Sequence, residues 1–127
     1  MPNKLDFPSR SQLKDPDLAR INVVIYVPST KNVTHKISEA EFKKRINSTV
    51  GFLRLSLGGS TTIMGIGNYL SSQYGSVTER VAKVESFIDI QRYNRADLII
   101  KKWLENKKKQ WSQESIAYEY ENNLIYV

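Results

Sequence analysis

The sequence predicts an α+β fold of the ferredoxin-like kind, a β-α-β-β-α-β chain with an antiparallel sheet and two helices on one face. Three observations predict it. Ile21 to Val27 (I-N-V-V-I-Y-V) is a β-branched run with period-two alternation. Two amphipathic segments carry N-terminal capping signals. Between them lie two strand-like runs joined by a short connection that contains Gly75.

The first 20 residues hold Pro2, Pro8 and Pro16 among polar residues and keep neither period, so they read as an arm or irregular lead-in to a single domain over 21–127. Leu5, Phe7 and Leu13 could pin that arm to the domain or to a neighbouring subunit. The first strand ends at Pro28, which cannot donate to a ladder, and Ser29 to Asn32 reads as a turn.

Ser38 followed by Glu41 makes a capping box, and Ile37 and Phe42 are spaced for a hydrophobic staple. Phe42, Ile46, Thr49, Val50 and Leu53 then share one helical face. Gly58-Gly59 supplies the left-handed C-cap. The alternation of Leu53 to Leu57 allows the helix to stop earlier.

Thr61 to Leu70 reads as the second strand, with Gly65 and Gly67 leaving one face bare. Ser71 to Ser76 is the connection. Val77 to Asp89 is a long third strand with two unlike faces. Arg80, Ala82, Val84, Ser86 and Ile88 form the face expected beneath the helices. Glu79, Val81, Lys83, Glu85 and Phe87 form the other, which is a solvated surface, a ligand surface or an oligomer interface.

Asn94 is placed to cap the second helix, with Asp97 at its third position and Tyr93 and Leu98 as a staple. Ala96, Ile100, Trp103, Leu104 and Trp111 fall on one stripe. Ser115 to Glu121 is a fourth strand, Asn122-Asn123 a turn, and Leu124 to Val127 a short fifth strand.

Composition narrows the chemistry. The chain has 127 residues, no cysteine and one histidine. Disulfides, thiolate ligands and a cysteine nucleophile are therefore excluded. His35 has no partner at metal-ligand spacing, and no G-x-S-x-G elbow accompanies it, so it reads as a solvated loop residue. No catalytic residue, metal site or cofactor is assigned. The start of the chain lacks the apolar run of a signal peptide, and no stretch is long enough to span a bilayer, so a cytoplasmic protein without membrane contact is expected.

The net charge of +6 favours an anionic partner, a nucleic acid or nucleotide. Lys101, Lys102, Lys107, Lys108 and Lys109 on the second helix are the densest basic feature and could line a phosphate backbone. An ordinary solvated helix face is the competing account, and the flanking tryptophans belong to the buried stripe. Gly58-Gly59-Ser60-Thr61-Thr62 looks phosphate-friendly, but it follows a helix rather than leading into one, so it reads as a cap and turn. Glu79 and Glu85, six residues apart on one strand face, are separated by about 20 Å and form no dyad alone. Either could act with Glu114 or Glu119 from another strand, or pair with Lys83 or an arginine.

From Gly58 onward the chain resembles small uncharacterised prokaryotic and mobile-element α+β proteins. The residues that carry the resemblance are Gly58, Gly59, Thr61, Gly67, Tyr69, Gly75, Glu79, Glu85, Gln113, Glu114, Ser115 and Ile116. It implies the fold, and if it marks a site, Thr61, Glu79, Glu85, Gln113 and Glu114 are its polar members. Three function classes follow. The first is a basic binding module, expected to be a homo-oligomer, that holds an anion. The second is a mobile-element interaction or inhibitor protein acting on a protein partner. The third is a carboxylate-dependent enzyme on the open sheet face.

Overall fold

A computed structural model describes residues 20–89, 93–120 and 123–127. The expected arm over 1–20 falls outside it save for Arg20, as do Glu121 and Asn122 of the last turn and the side chains of Tyr93 and Asn94 expected at the second helix's start.

The chain forms β1 (Arg20–Pro28), a two-stranded hairpin of β2 (Thr30–Lys31) and β3 (His35–Lys36), helix α1 (Glu39–Leu57), β4 (Thr61–Ser71), β5 (Gly75–Asp89), helix α2 (Tyr93–Gln110), β6 (Ala117–Tyr120) and β7 (Asn123–Tyr126). The five long-sheet strands run in the order β4-β5-β1-β6-β7, every pairing antiparallel. This is the ferredoxin-like order with one extra edge strand, β7. The segment after Pro28 is more than the turn its sequence suggests. Thr30 pairs with Lys36 and Lys31 with His35. His35 is thus on a short strand, and it is exposed.

Local chemistry sets the helix ends. The Ser38 hydroxyl accepts from the Glu41 backbone N–H at 3.1 Å. Glu39 and Glu41 place negative charge at the positive end of the helix. The helix runs to Leu57, past the alternating stretch. Gly58 then adopts φ 93 and donates to Arg54 O at 3.0 Å, a conformation that glycine takes without a Cβ penalty.

The face predicted for the helices is the buried one. Ala82, Val84 and Ile88 of β5 meet Val23, Ile25 and Val27 of β1, Phe42, Leu53 and Leu57 of α1, and Ala96, Ile100, Leu104 and Trp111 of the second helical segment. Each large aliphatic side chain buried there contributes about 1.5–3 kcal/mol relative to exposure. Trp111 is core, as its stripe predicts, and Trp103 stacks on Phe52 with ring centroids 4.4 Å apart. Among the described residues no helix is long and apolar enough to cross a membrane.

Candidate functional site

Arg45 stands on the apolar stripe of α1 and is 3% exposed. A guanidinium cannot be buried there unless its donors are used. Nη1 donates to Pro28 O at 2.9 Å and to Thr30 O at 2.8 Å, and Nη2 donates to Trp111 O at 3.3 Å. It also lies over the Trp111 ring, 5.4 Å from the centroid. Nε has no hydrogen-bond partner but faces Glu41 Oε1 at 3.9 Å. One side chain of α1 thereby ties the end of β1, the start of β2 and the end of α2 together.

Gln113 joins the same knot. Its Nε2 donates to Thr30 O at 2.6 Å and to Trp111 O at 2.9 Å. Thr30, held through its carbonyl, turns its hydroxyl to Glu79 Oε2 at 2.6 Å. Burial raises the Glu79 carboxyl above its ordinary range. The Thr30 hydroxyl, the Ser29 backbone N–H and the charge of Arg45 oppose that rise. Burial, then the charges of Glu79 and Glu114, pushes the Tyr69 phenol upward.

Glu79 borders two cavities. The larger, about 550 Å³, is walled by Ser29, Thr30, Val33, Phe42 and Arg80 among others. Arg80 there bonds Glu39 at 2.9 Å and lies 4.9 Å from the Phe42 centroid. The smaller, about 250 Å³, lies on the open sheet face between Tyr26, Tyr69, Gln113 and Tyr126. Its floor includes Gly67, which pairs with Glu79 across the β4–β5 ladder. A Cβ at Gly67 would stand 3.1 Å from Val81 Cγ1 and project into this space. The bare face read from Gly65 and Gly67 is thus the open face, and at Gly67 it gives room beside the carboxylate.

Farther along that face Tyr26 donates to Glu119 through a short hydrogen bond. Burial, then the bond to Glu119 and the charges of Glu119 and Glu85, pushes its phenol up to about 12. Asn22 donates to Glu85 Oε2 at 3.3 Å.

The polar residues singled out from the sequence therefore divide. Glu79 and Gln113 meet around Thr30. Glu114 lies toward the β4–β5 turn, where it accepts from Ser71 and Ser72 at 3.3 and 2.9 Å. Thr61 and Glu85 face each other at the far end of the ladder, about 20 Å from Glu79 by strand rise. Glu79 accepts from a hydroxyl and Glu85 from an amide, and among the described residues neither forms the ion pair with Lys83 or an arginine that the sequence also allows.

On α2, Lys101 pairs with Asp97 at 3.1 Å. Lys107 donates to Gln110 at 2.8 Å and lies over the Trp103 and Trp111 rings. Lys102 and Lys109 are exposed and Lys108 is half-buried. At least two of the five lysines are thus engaged within their own helix surface. Among the described residues no group of histidine, aspartate and glutamate could hold a metal ion.

Thr30, Arg45 and Tyr26 are not singled out by the sequence, and Tyr69 enters there only through the resemblance, not as a member of the site. Arg45 had a readable signal, since it lies three residues from Phe42 and four from Thr49 on the apolar stripe. A charge there must find buried acceptors.

No family model matches the sequence, and no curated protein matches it. A solved structure shares the fold. It is described as a phage SAM lyase in complex with S-methyl-5'-thioadenosine, with a TM-score of 0.66 and 11% sequence identity over 91% of this chain and 94% of that one. At that identity the likeness is one of fold.

Proposed function

We propose that this chain binds an adenosine-type nucleoside bearing a sulfur substituent, in the cleft where Glu79 meets both cavities. On this reading it cleaves S-adenosylmethionine without a co-reactant: the methionine carboxylate closes on its own Cγ as the S–Cγ bond breaks, the electron pair stays on sulfur, and S-methyl-5'-thioadenosine leaves together with homoserine lactone. The observation that carries the reading is the Glu79 carboxylate, partly buried, held by Thr30 and bordered by space on two sides. The shared fold with a lyase bound to S-methyl-5'-thioadenosine supports the ligand class by analogy.

The chemistry of the cleft suits such a ligand. A volume of about 550 Å³ falls in the usual range for small-molecule sites, roughly 300–1,000 Å³. Tyr26, Tyr69 and Tyr126 line the smaller cavity, of about 250 Å³, and supply aromatic surface for a base. A carboxylate withdrawn from water attracts a sulfonium cation more strongly than an exposed one does, and it accepts hydrogen bonds from ribose hydroxyls. This is the carboxylate reading of the sheet face, with Glu79 chosen over Glu85 and Glu114 because it alone joins the two cavities. The net charge of +6 has no part in holding this ligand, which carries a sulfonium and no phosphate.

Incubation of the purified protein with S-adenosylmethionine, followed by chromatography and mass spectrometry, tests the reading. Release of S-methyl-5'-thioadenosine by the parent, lost at least tenfold in Glu79→Gln, supports it. Equal release by both proteins removes Glu79 from the site, and no release together with no binding of either compound removes the ligand class.

The homo-oligomer expectation belongs with this reading. Edge strand β4 is 11 residues long, has no proline or charge, and leaves Ile66 and Leu70 78% and 82% exposed, an edge without the usual guards against pairing. A concentration-independent monomer mass in native mass spectrometry would set that expectation aside.

A further inference from the structure

We infer that Thr30 is a positioning residue for the Glu79 carboxylate, with its backbone locked by Arg45 and Gln113 so that its hydroxyl fixes one oxygen of Glu79 where the two cavities meet. The inference deepens the proposed function and rests on it for the ligand. The geometry itself stands without a ligand.

Five hydrogen bonds carry it. Thr30 Oγ1 lies 2.6 Å from Glu79 Oε2. Thr30 O takes hydrogen bonds from Arg45 Nη1 at 2.8 Å and from Gln113 Nε2 at 2.6 Å. The same two side chains reach Trp111 O, through Arg45 Nη2 at 3.3 Å and Gln113 Nε2 at 2.9 Å, so the carbonyl is anchored to the end of α2 as well as to α1. Thr30 is 4% exposed. It has little freedom to turn elsewhere, and its hydroxyl serves a carboxylate 49 positions away in sequence.

A hydroxyl that donates to a carboxylate favours the charged form, as the Ser29 backbone N–H also does, and fixes the direction in which the remaining lone pairs of the carboxylate point. Without it, Glu79 keeps the cost of burial but loses a bond that offsets it. The charged and titratable groups facing Glu79 are Arg45 from α1 and Tyr69 from β4. Glu41 faces Arg45 in turn, and Glu114 acts on Tyr69. None of these is altered by a change at Thr30, so a movement in the titration of Glu79 reports the hydroxyl.

The test is a carbon-detected NMR titration of the Glu79 side-chain carboxyl in the full chain, without ligand. It compares the parent with Thr30→Val, which keeps the shape, and Thr30→Ser, which keeps the hydroxyl. The titration midpoint moves upward in Thr30→Val and returns to the parent value in Thr30→Ser. Gln113→Ala, which removes one lock on the carbonyl, moves it the same way by less. An unchanged midpoint in Thr30→Val, or an equal rise in Thr30→Ser, overturns the inference. Because the titration is read without ligand, its result is separate from the ligand assignment. No release of S-methyl-5'-thioadenosine and no binding of it by the parent would end the proposed function and leave the Thr30–Glu79 result standing.

Discussion

Arg45 and Gln113 donate to one acceptor, the carbonyl of Thr30, at 2.8 and 2.6 Å, and to a second, the carbonyl of Trp111, at 3.3 and 2.9 Å. Two side chains far apart in sequence thereby fix the corner at which β1 gives way to the small hairpin. That corner faces the cleft.

Removing Arg45 takes one donor from each of three carbonyls; those of Thr30 and Trp111 keep Gln113, whereas Pro28 O loses its side-chain donor, at a cost of about 1–3 kcal/mol if no water replaces it. We expect Arg45→Met to lower stability by roughly 3–5 kcal/mol, the range of a broken buried polar network. Arg45→Lys, with a point charge and no fork, recovers only part of the loss. Urea unfolding of the two variants checks this. A loss below about 1 kcal/mol in Arg45→Met, well under what one uncompensated carbonyl network should cost, would contradict the role.

Glu79 has a raised carboxyl in the fold, with burial the main cause. A raised value means that the folded chain holds this proton more tightly than the unfolded chain does. The contribution to stability is then fully present below the unfolded value of 4.5 and is lost as pH rises through the folded one. Glu79→Gln should therefore gain in Tm relative to the parent on going from pH 4 to pH 7. Thermal melts at the two values show it, and a gain at pH 4 that vanishes at pH 7 would reverse the sign.

Tyr26 behaves alike at the other end of the scale. Its folded value is about 12 against 10.0 unfolded, through burial first and then Glu119. Its stabilising contribution is present below pH 10 and lost as pH rises toward 12. Tyr26→Phe should flatten the alkaline limb of stability over that window, and an unchanged limb would show that other groups set it.

Val33 has φ 71, a left-handed conformation that a β-branched residue seldom takes, while its side chain is 6% exposed and walls the larger cavity. Glycine relieves the strain and alanine does not. We expect Val33→Gly to be more stable than Val33→Ala by about 1 kcal/mol. At Val84, in the middle of β5, the order reverses by roughly 0.5–1 kcal/mol. Denaturant midpoints for the four variants decide it, and the same order at both sites would remove the strain account.

The two periodicities made the elements legible. The alternation of Ile21 to Val27 and the unlike faces of residues 77–89 gave the central strands and the side on which the helices lie. Ser38 and Gly58 marked the ends of α1 because capping is local chemistry. The hairpin of β2 and β3 was not readable, since two-residue strands leave no pattern. Neither was the site as a whole. Glu79 and Gln113 could be suspected singly, but their meeting at Thr30 depends on β5, the end of α2 and the corner after Pro28 converging, which no spacing along the chain expresses. The lysines of α2 drew attention through their density, yet Lys101 and Lys107 are occupied by Asp97, Gln110 and tryptophan rings.

The most direct test of the central claim is an amide and side-chain NMR titration of the full chain with S-methyl-5'-thioadenosine. The account predicts saturable shifts at Thr30, Gly67, Tyr69, Glu79 and Gln113, with Lys102 and Lys109 of α2 unmoved. Saturable shifts confined to the lysine face of α2, or none at millimolar nucleoside, would contradict it.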